Sequence, residues 1–221
     1  MHVDESIKGR YSCRAFLNTP VSKDILNSIL DTARWAPSST NMQPWQVAVV
    51  QGESLRQIAA RMTLARQQGD QENPDFQYYP SQWLEPYQGR RRATGLALYR
   101  ALGVGKDDPE GRMKAWCNNY QLFGAPVGLL IFIDQGLAEG SLIDAGIFVQ
   151  SLVLAAREHG LDSCIQASLG EFPDIVREVL NIGPDKRLVC GVALGYADPD
   201  AAVNQYRTPR VAVEDFTRWY D

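Results

Sequence analysis

The segment 141–159 constrains the fold of this chain more than any other, because apolar residues occur on all of its sides. Leucine, isoleucine, valine, alanine and phenylalanine make up most of it, and Gly160 follows it directly. This pattern predicts a helix from Ser141 to His159 that ends at a glycine. A helix that is apolar all round needs cover on every face, so we expect it at the centre of the fold or in a large interface.

Predicted helices outnumber predicted strands in the rest of the chain. Continuous apolar or β-branched runs predict strands at 46–50, 127–133 and 188–194. Apolar residues at helical spacing predict helices at 23–34, 55–68, 89–102, 109–123 and 172–180. The run 127–133 is apolar throughout, which indicates a strand that is buried on both faces. This proportion of elements indicates an α+β fold, although the patterns leave the order of the strands in the sheet open.

Charge and composition argue against several classes of partner. The net charge of −4 gives no electrostatic reason to bind nucleic acid or an anionic membrane surface. No uninterrupted apolar run approaches about 20 residues, so we expect no membrane span. Two histidines cannot build a histidine-rich metal site, and four widely spaced cysteines predict reduced thiols in a cytoplasmic protein. We therefore expect no nucleic-acid, membrane or metal partner.

A polar but uncharged loop joins the predicted helix at 23–34 to the strand at 46–50. Pro37 and Pro44 stiffen this loop. The neutral polar side chains between the two prolines are those of Ser38, Ser39, Thr40, Asn41 and Gln43. Their donors and acceptors suit a ligand with carbonyls, ring nitrogens and hydroxyls better than they suit a metal. An ordinary polar turn has the same composition, and that alternative stays open here.

A second stretch, near the start of the chain, has the pattern R-x-S-x-R. Arg10, Ser12 and Arg14 point to the same side if this segment is extended, with Tyr11 among them on the other side. Two guanidiniums and one hydroxyl suit a phosphate monoester, which takes charged bidentate donors together with a neutral one. The alternative is a basic edge that water solvates.

Motifs for hydrolytic or nucleophilic catalysis are missing from the sequence. It contains no G-x-S-x-G, no H-E-x-x-H, no phosphate-binding Walker loop and no G-x-G-x-x-G after a strand. An enzyme without an evident acid–base or nucleophile set usually takes its reactivity from a cofactor.

The two polar stretches occur in an order that resembles a known family. R-x-S-x-R, then a helix, then A-P-S-x-x-N-x-Q-P-W resembles the opening of the FMN-dependent nitroreductase family. The sequence G-L-D-S at 160–163 is similar to that family's G-L-x-S loop, and G-Y-A-D at 195–198 is similar to the end of its closing strand. The aromatic insertion around 76–92 is similar to the subgroup that reduces nitrobenzoates and other nitroaromatics.

The resemblance implies a fold, a cofactor and a reaction. It implies one nitroreductase-like domain over 1–221, with a central, mostly antiparallel sheet flanked by helices, in an intertwined homodimer with shared active sites. Residues 69–123 form a helical, aromatic lid in this prediction, and 197–221 form a C-terminal arm. The implied enzyme transfers hydride from NADH or NADPH, through the N5 atom of FMN, to a nitroaromatic or similar electron-poor acceptor in a ping-pong order. Reductive dehalogenation, quinone or enone reduction, and flavin binding without catalysis stay as alternatives.

The resemblance also assigns cofactor contacts by position. The phosphate is expected at Arg10, Ser12, Arg14 and one arginine of the tail, with Arg210 favoured over Arg207. The loop 38–43 is expected to contact the ribityl chain and the ring across the dimer, and Asn118 lies near the ring. A backbone N–H at Ala167 or Ser168 is expected to bond to N5. The predicted cofactor contacts are Arg10, Tyr11, Ser12, Arg14, Pro37, Ser38, Ser39, Asn41, Gln43, Asn118, Ala167, Ser168, Arg207 and Arg210.

Overall fold

A four-stranded antiparallel sheet forms the centre of the computed structural model, which describes residues 2–221. The strands are β1 (Gln46–Val50), β2 (Val127–Asp134), β3 (Asp162–Gln166) and β4 (Lys186–Gly195). Their order across the sheet is β1-β2-β4-β3, and each neighbouring pair is antiparallel. The prediction of an α+β fold with an antiparallel sheet is confirmed.

Helices flank this sheet on both faces. They are α1 (Val3–Gly9), α2 (Lys23–Ala33), α3 (Gly52–Gln68), α4 (Tyr87–Ala101), α5 (Pro109–Cys117), α6 (Gly140–Glu158), α7 (Pro173–Leu180) and α8 (Val213–Phe216). Ser22 caps α2 by accepting a hydrogen bond from the backbone N–H of Ile25, as an N-terminal serine is suited to do.

Strand β2 is buried on both faces, as its continuous apolar run predicted. Leu129 and Ile131 pack into the cluster on the side of α2 and α6. Leu130 and Phe132 pack into the cluster on the side of α3 and α7, where Met62 is fully buried. Alternate residues of one strand therefore belong to two cores, because side chains alternate between the faces of a sheet.

Helix α6 lies against the sheet. Its bounds, Gly140–Glu158, differ by one residue at each end from the predicted helix. Its inner face is buried against α2 and β3 and includes Phe148, Leu152 and Val153. Its outer face exposes Ile143 and Ile147, at 68% and 37% of their surface. The helix also has the length and hydropathy of a membrane span, contrary to the expectation that every apolar stretch is too short. Core helices share these properties, and the packing of α6 on the sheet accounts for them.

The sequence prediction is wrong about the end of one helix and misses one strand. The predicted helix at 109–123 ends at Cys117, and an α-helix could not have continued to 123, because Leu122 and Phe123 adopt positive φ angles of 51° and 56°. Strand β3 has no counterpart in the sequence prediction, which placed a loop there. Its composition is polar, and pairing with β4 from Asp162 opposite Gly195 to Gln166 opposite Gly191 holds it extended.

The burial of α6 predicts a large effect of Leu152→Ala on stability. Leu152 is fully buried in the cluster shared with β2, so truncation should lower the free energy of unfolding by about 2–5 kcal/mol. Urea unfolding measures the change. The control is Leu64→Ala, since Leu64 lies on α3 with 53% of its surface exposed. Equal, small changes in the two variants would contradict the assignment of α6 to the core.

Candidate active site

Two segments that are distant in sequence bring four arginines around one cavity of about 600 Å³. The first segment, between α1 and α2, contributes Arg10 and Arg14. The second segment follows the short 3-10 helix Ala202–Asn204 and contributes Arg207 and Arg210. The structure thus brings Arg10 and Arg14, which the sequence analysis assigned to a phosphate, together with both candidate arginines of the tail, and Tyr11 and Ser12 lie in the same wall.

Strand β3 holds the first segment in place. Ser12 forms a parallel β-bridge to Ser163, and the backbone N–H of Cys13 donates to the carbonyl of Ser163 at 3.0 Å. This pairing keeps the segment extended at residue 12. The extended backbone assumed in the sequence analysis is therefore present at the centre of R-x-S-x-R.

The buried side chain of Asn204 ties the two arginine segments together. Its Oδ1 atom accepts from the backbone N–H of Arg14 at 2.9 Å. Its Nδ2 atom donates to the carbonyls of Ala15 at 2.8 Å and Asp198 at 2.9 Å. Sequence reasoning missed this residue, because the contact joins positions 190 residues apart and a single asparagine in a tail gives no local signal.

The four arginines of this cavity lack a carboxylate partner, whereas Lys8 in the same wall pairs with Asp4 at 3.6 Å. The Arg14 guanidinium donates to the Tyr206 hydroxyl at 3.2 Å, and the Arg207 guanidinium lies 3.9 Å from the centre of the Tyr11 ring. Among residues 2–221, no salt bridge joins any of the four arginines to an aspartate or glutamate. Burial, followed by the nearby charge of Arg210, lowers the pKa of Arg10. The cavity is therefore suited to an anion that matches several guanidiniums at once.

The neutral groups beside these arginines fit the same ligand. Burial raises the pKa of Tyr11 to about 12, so its phenol stays uncharged at neutral pH. Ser12 supplies a hydroxyl at the cavity wall. A terminal phosphate needs both charged and neutral donors, and the residues present match that requirement.

The polar loop lies elsewhere, on the first turns of α6. Its 3-10 turn, Ser39–Asn41, is anchored where the backbone N–H of Ser39 donates to Oδ1 of Asp144 at 3.2 Å. The hydroxyl of Ser38 accepts from the backbone N–H of Gln43 at 2.9 Å. Pro37 and the side chains of Ser39, Asn41 and Gln43 are exposed, and no residue of 37–43 lines the arginine cavity.

Asp144 is a second residue that the sequence analysis missed. It is 5% exposed in the first turns of an apolar helix, and its Oδ2 atom has no partner among the described residues. A buried carboxylate is costly unless it is bonded, so its contact with the loop is the evident reason for its position. Its charged side chain interrupts the apolar segment 141–159, and this interruption was the one sign in the sequence that position 144 has a special role.

The remaining predicted contacts lie near the end of β3. Ala167 and Ser168 begin a 3-10 turn, Ala167–Gly170, directly after the strand. The hydroxyl of Ser168 and Oε1 of Gln166 are buried without a hydrogen-bond partner among residues 2–221. Asn118 ends α5 and is half-buried, and the carbonyl of its neighbour Asn119 accepts from Nε2 of Gln166 at 2.8 Å. Unpartnered polar atoms beside these backbone groups are consistent with a polar ligand at this edge.

Comparison with known proteins settles the family. A model of the nitroreductase family matches residues 7–196, which is most of the chain. The chain belongs to the nitroreductase family. This confirms the family that the motifs indicated. The match ends before Arg207 and Arg210, so half of the arginine cavity lies in a tail beyond the family model.

Individual relatives agree with the family match over nearly the whole chain. The chain is 36% identical to a 4-nitrobenzoate reductase of Pseudomonas putida, over 98% of this chain and 94% of that protein. An FMN and NADPH-dependent nitroreductase NfnB from Sphigopyxis sp. strain HMH has a TM-score of 0.96 and 35% identity, with both chains fully covered. The FMN-dependent nitroreductase NfnB from Mycobacterium smegmatis, solved with NADPH, has a TM-score of 0.94 and 33% identity over 99% of this chain and 97% of that one.

The role of Asn204 predicts that Asn204→Ala destabilises both arginine segments. The change removes three hydrogen bonds of a buried carboxamide, among them the one to the half-buried backbone N–H of Arg14, which should lower the free energy of unfolding by about 2–4 kcal/mol. Chemical denaturation followed by tryptophan fluorescence measures it. Asn27→Ala, at an exposed position of α2, is the matched control and should change stability by less than about 0.5 kcal/mol. A loss in Asn204→Ala no larger than in the control would show that the carboxamide is not the tie between the segments.

Proposed function

We propose that the protein is an FMN-dependent nitroreductase that uses NADH or NADPH to reduce nitroaromatic or similar electron-poor acceptors. The observation that carries this proposal is the cavity with four arginines and no carboxylate partner, in a chain of the nitroreductase family. Relatives that reduce 4-nitrobenzoate or bind FMN and NADPH support the same activity.

The cavity favours FMN over a larger flavin. FMN ends in a monophosphate, whose two charges match a compact group of guanidiniums and one serine hydroxyl. Arg10, Ser12 and Arg14 would hold that phosphate together with Arg210, whose charge already acts on Arg10. Arg207 would complete the wall, because its guanidinium is held over the Tyr11 ring and bonded to the carbonyl of Asn204 at 2.7 Å.

The flavin supplies the redox chemistry when it is bound, since it takes up a hydride from the donor and releases it to the acceptor. The chain then has to bind the flavin, orient the donor and the acceptor against it, and exclude water from the site. A backbone N–H at Ala167 or Ser168 would donate a hydrogen bond to the ring edge, where negative charge develops on reduction. Asn118 and the unpartnered polar atoms after β3 would contact the same edge. The donor leaves before the acceptor enters, which gives a ping-pong order.

We also propose that the active site is completed by a second copy of the chain. The loop 37–43 carries polar side chains suited to a ribityl chain and a ring, yet it lies outside the arginine cavity of its own chain. Next to it, the outer face of α6 exposes Ile143 and Ile147. A homodimer that covers this face would bring Ser38, Ser39, Asn41 and Gln43 of one protomer to the cofactor of the other.

Two poorly buried parts of the chain, helix α4 and the tail, are also accounted for by such a dimer. Helix α4 has no buried residue, and the tail exposes Phe216, Trp219 and Tyr220. We assign 69–123 as a lid and 197–221 as an arm of one domain, and both would gain cover from a partner subunit. We place the protein in the cytoplasm, where its four buried, unpaired cysteines would stay reduced.

Cofactor identity tests the proposed function directly. The protein should purify with a yellow chromophore that heat releases and that co-migrates with FMN in chromatography. Its absorbance should bleach when NADH or NADPH is added without oxygen and return when a nitroaromatic compound follows. Finding FAD, or no flavin after reconstitution with FMN, would overturn the proposal.

In Arg14→Ala the FMN affinity should fall by about 1.5–3 kcal/mol, as for a hydrogen bond to a charged group, whereas Arg34→Ala on the exposed end of α2 should leave it unchanged.

The shared site predicts that the arm stabilises both the dimer and the cofactor. Removing residues 212–221 takes away the exposed aromatic side chains of the tail, which would bury apolar area worth about 25 cal/mol per Å² against a partner. The truncated protein should show a lower melting temperature, weaker self-association in sedimentation and faster loss of FMN. A full-length protein that is monomeric at micromolar concentration and still retains FMN contradicts the shared site.

A further inference from the structure

A second positively charged cavity, of about 540 Å³, lies between α3, α4 and α5. We call it the lid cavity. Four cationic side chains line it, those of Arg66, Arg91, Lys106 and Arg112. It shares no lining residue with the cavity around Arg10 and Arg14. The proposed phosphate site therefore does not account for its charge.

The acidic residues of the lid cavity do not neutralise it. Glu72 and Glu171 are its only carboxylates among the lining residues, and both pair with Arg66, at 2.8 and 2.9 Å. Arg91, Lys106 and Arg112 form no salt bridge with any of residues 2–221. Three cations without a salt bridge are thus left around a concave surface, and the four cations and two carboxylates of its lining give it a net charge of +2, in a protein whose net charge is −4. A small anion would gain from this positive charge.

Two of these three cations, those of Arg91 and Arg112, are placed by aromatic rings and backbone carbonyls. The Arg112 guanidinium lies 5.8 Å from the centre of the Tyr99 ring and donates to the carbonyls of Lys106 and, at 3.4 Å, Gly105. The Arg91 guanidinium lies 5.0 Å from the centre of the Trp83 ring. A guanidinium has five N–H donors, so these contacts leave donors of Arg112 for a ligand.

The aromatic wall of the cavity is fixed by a hydrogen-bonded network. The indole N–H of Trp116 donates to the Tyr120 hydroxyl at 3.2 Å, and that hydroxyl donates to the carboxylate of Glu171. The guanidinium of Arg66 lies 4.8 Å from the centre of the indole ring. These contacts lock the ring plane of Trp116, and Tyr99 stands in the same cavity. A flat ring that enters would find a preorganised surface.

The lid cavity also extends toward the proposed cofactor ring. It shares Glu72, Tyr79 and Glu171 with a smaller cavity of about 220 Å³ that reaches Ala167. Ala167 is one of the two residues that we expect at the reactive edge of the flavin. The three shared residues therefore form a common wall between the surplus cations and the reactive edge.

We propose that the lid cavity binds flat aromatic ligands that carry an anionic group, with the ring against Trp116 and Tyr99 and the anion held by Lys106 and Arg112. This inference rests on the proposed function for the identity of the ligand, which is either an acceptor with a carboxylate or the phosphorylated ribose-adenine part of the donor. Both present a flat ring and a negative charge. The cavity makes the enzyme selective for anionic over neutral ligands of the same shape.

Equilibrium binding to the oxidised, purified protein without electron donor tests the acceptor as the source. The probes are 4-nitrobenzoate and 4-nitrobenzamide, which have the same ring and nearly the same size but differ by one charge. The carboxylate should bind about tenfold more tightly, and the preference should shrink at high salt. Lys106→Gln and Arg112→Gln should each reduce it about threefold to fivefold. Arg92→Gln is the control, because Arg92 is an exposed neighbour on α4 that does not line the lid cavity.

A second pair of probes tests the nucleotide as the source. Adenosine 2′,5′-bisphosphate and adenosine 5′-monophosphate differ by one phosphate. A preference for the bisphosphate that falls in Lys106→Gln and Arg112→Gln, with no carboxylate preference in the first pair, assigns the cavity to the electron donor. A carboxylate preference that falls in the same variants assigns it to the acceptor.

The inference is overturned if Lys106→Gln and Arg112→Gln leave the affinities of all four probes as they are in Arg92→Gln. Lys106 and Arg112 lie at exposed positions, so we expect both variants to keep the helices of the lid. Circular dichroism of the variants checks this. Binding without donor is independent of turnover. A protein that binds the anionic probes but oxidises neither NADH nor NADPH would leave this inference standing and end the proposed function.

Discussion

Burial of α6 against the sheet is the constraint on which the rest of the structure depends. The first turns of this helix carry Asp144, whose carboxylate holds the loop 37–43 through the backbone N–H of Ser39. Its last turn carries Arg157, which pairs with Asp162 at the start of β3. Gly160 makes the tight turn between them with a φ angle of 69°, which a side chain would strain. Strand β3 then supports the segment that carries Arg10 and Arg14, so both halves of the proposed cofactor site are positioned from the two ends of one buried helix.

Local patterns were enough to predict most of the elements and to anticipate that Arg10 and Arg14 lie in one candidate site. The strands β1, β2 and β4 are continuous apolar runs, and such runs are visible in a single sequence. The spacing of Arg10, Ser12 and Arg14 is equally local, which is why the arginine cavity could be anticipated. Strand β3 could not be, because Asp162 to Gln166 has no strand-forming composition and depends on β4 for its conformation. Contacts such as that between Arg14 and Asn204 also stay hidden, since they join the two ends of the chain.

Positively charged side chains of this protein gather around two cavities, although the chain as a whole carries a net negative charge. The net charge of the chain is −4, yet two groups of cationic side chains line cavities. The two carboxylates of the lid cavity, those of Glu72 and Glu171, form salt bridges with Arg66. A cationic cavity in an acidic molecule concentrates small anions while the outer surface repels large polyanions. This arrangement is suited to ligands that carry a phosphate or carboxylate on a flat ring, and it argues against nucleic acid without any reference to a motif.

The position of the four arginines has a consequence for the ends of the chain. Arg10 and Arg14 lie near the amino terminus, Arg207 and Arg210 lie near the carboxyl terminus, and the buried carboxamide of Asn204 joins the two segments by hydrogen bonds. Like charges make them repel one another when no anion is between them. An anion that contacts both segments cross-links the terminal regions without a covalent bond, and its binding free energy is added to the stability of the closed form. If the phosphate of the proposed cofactor is this anion, cofactor binding and the resistance of the tail to proteases are linked.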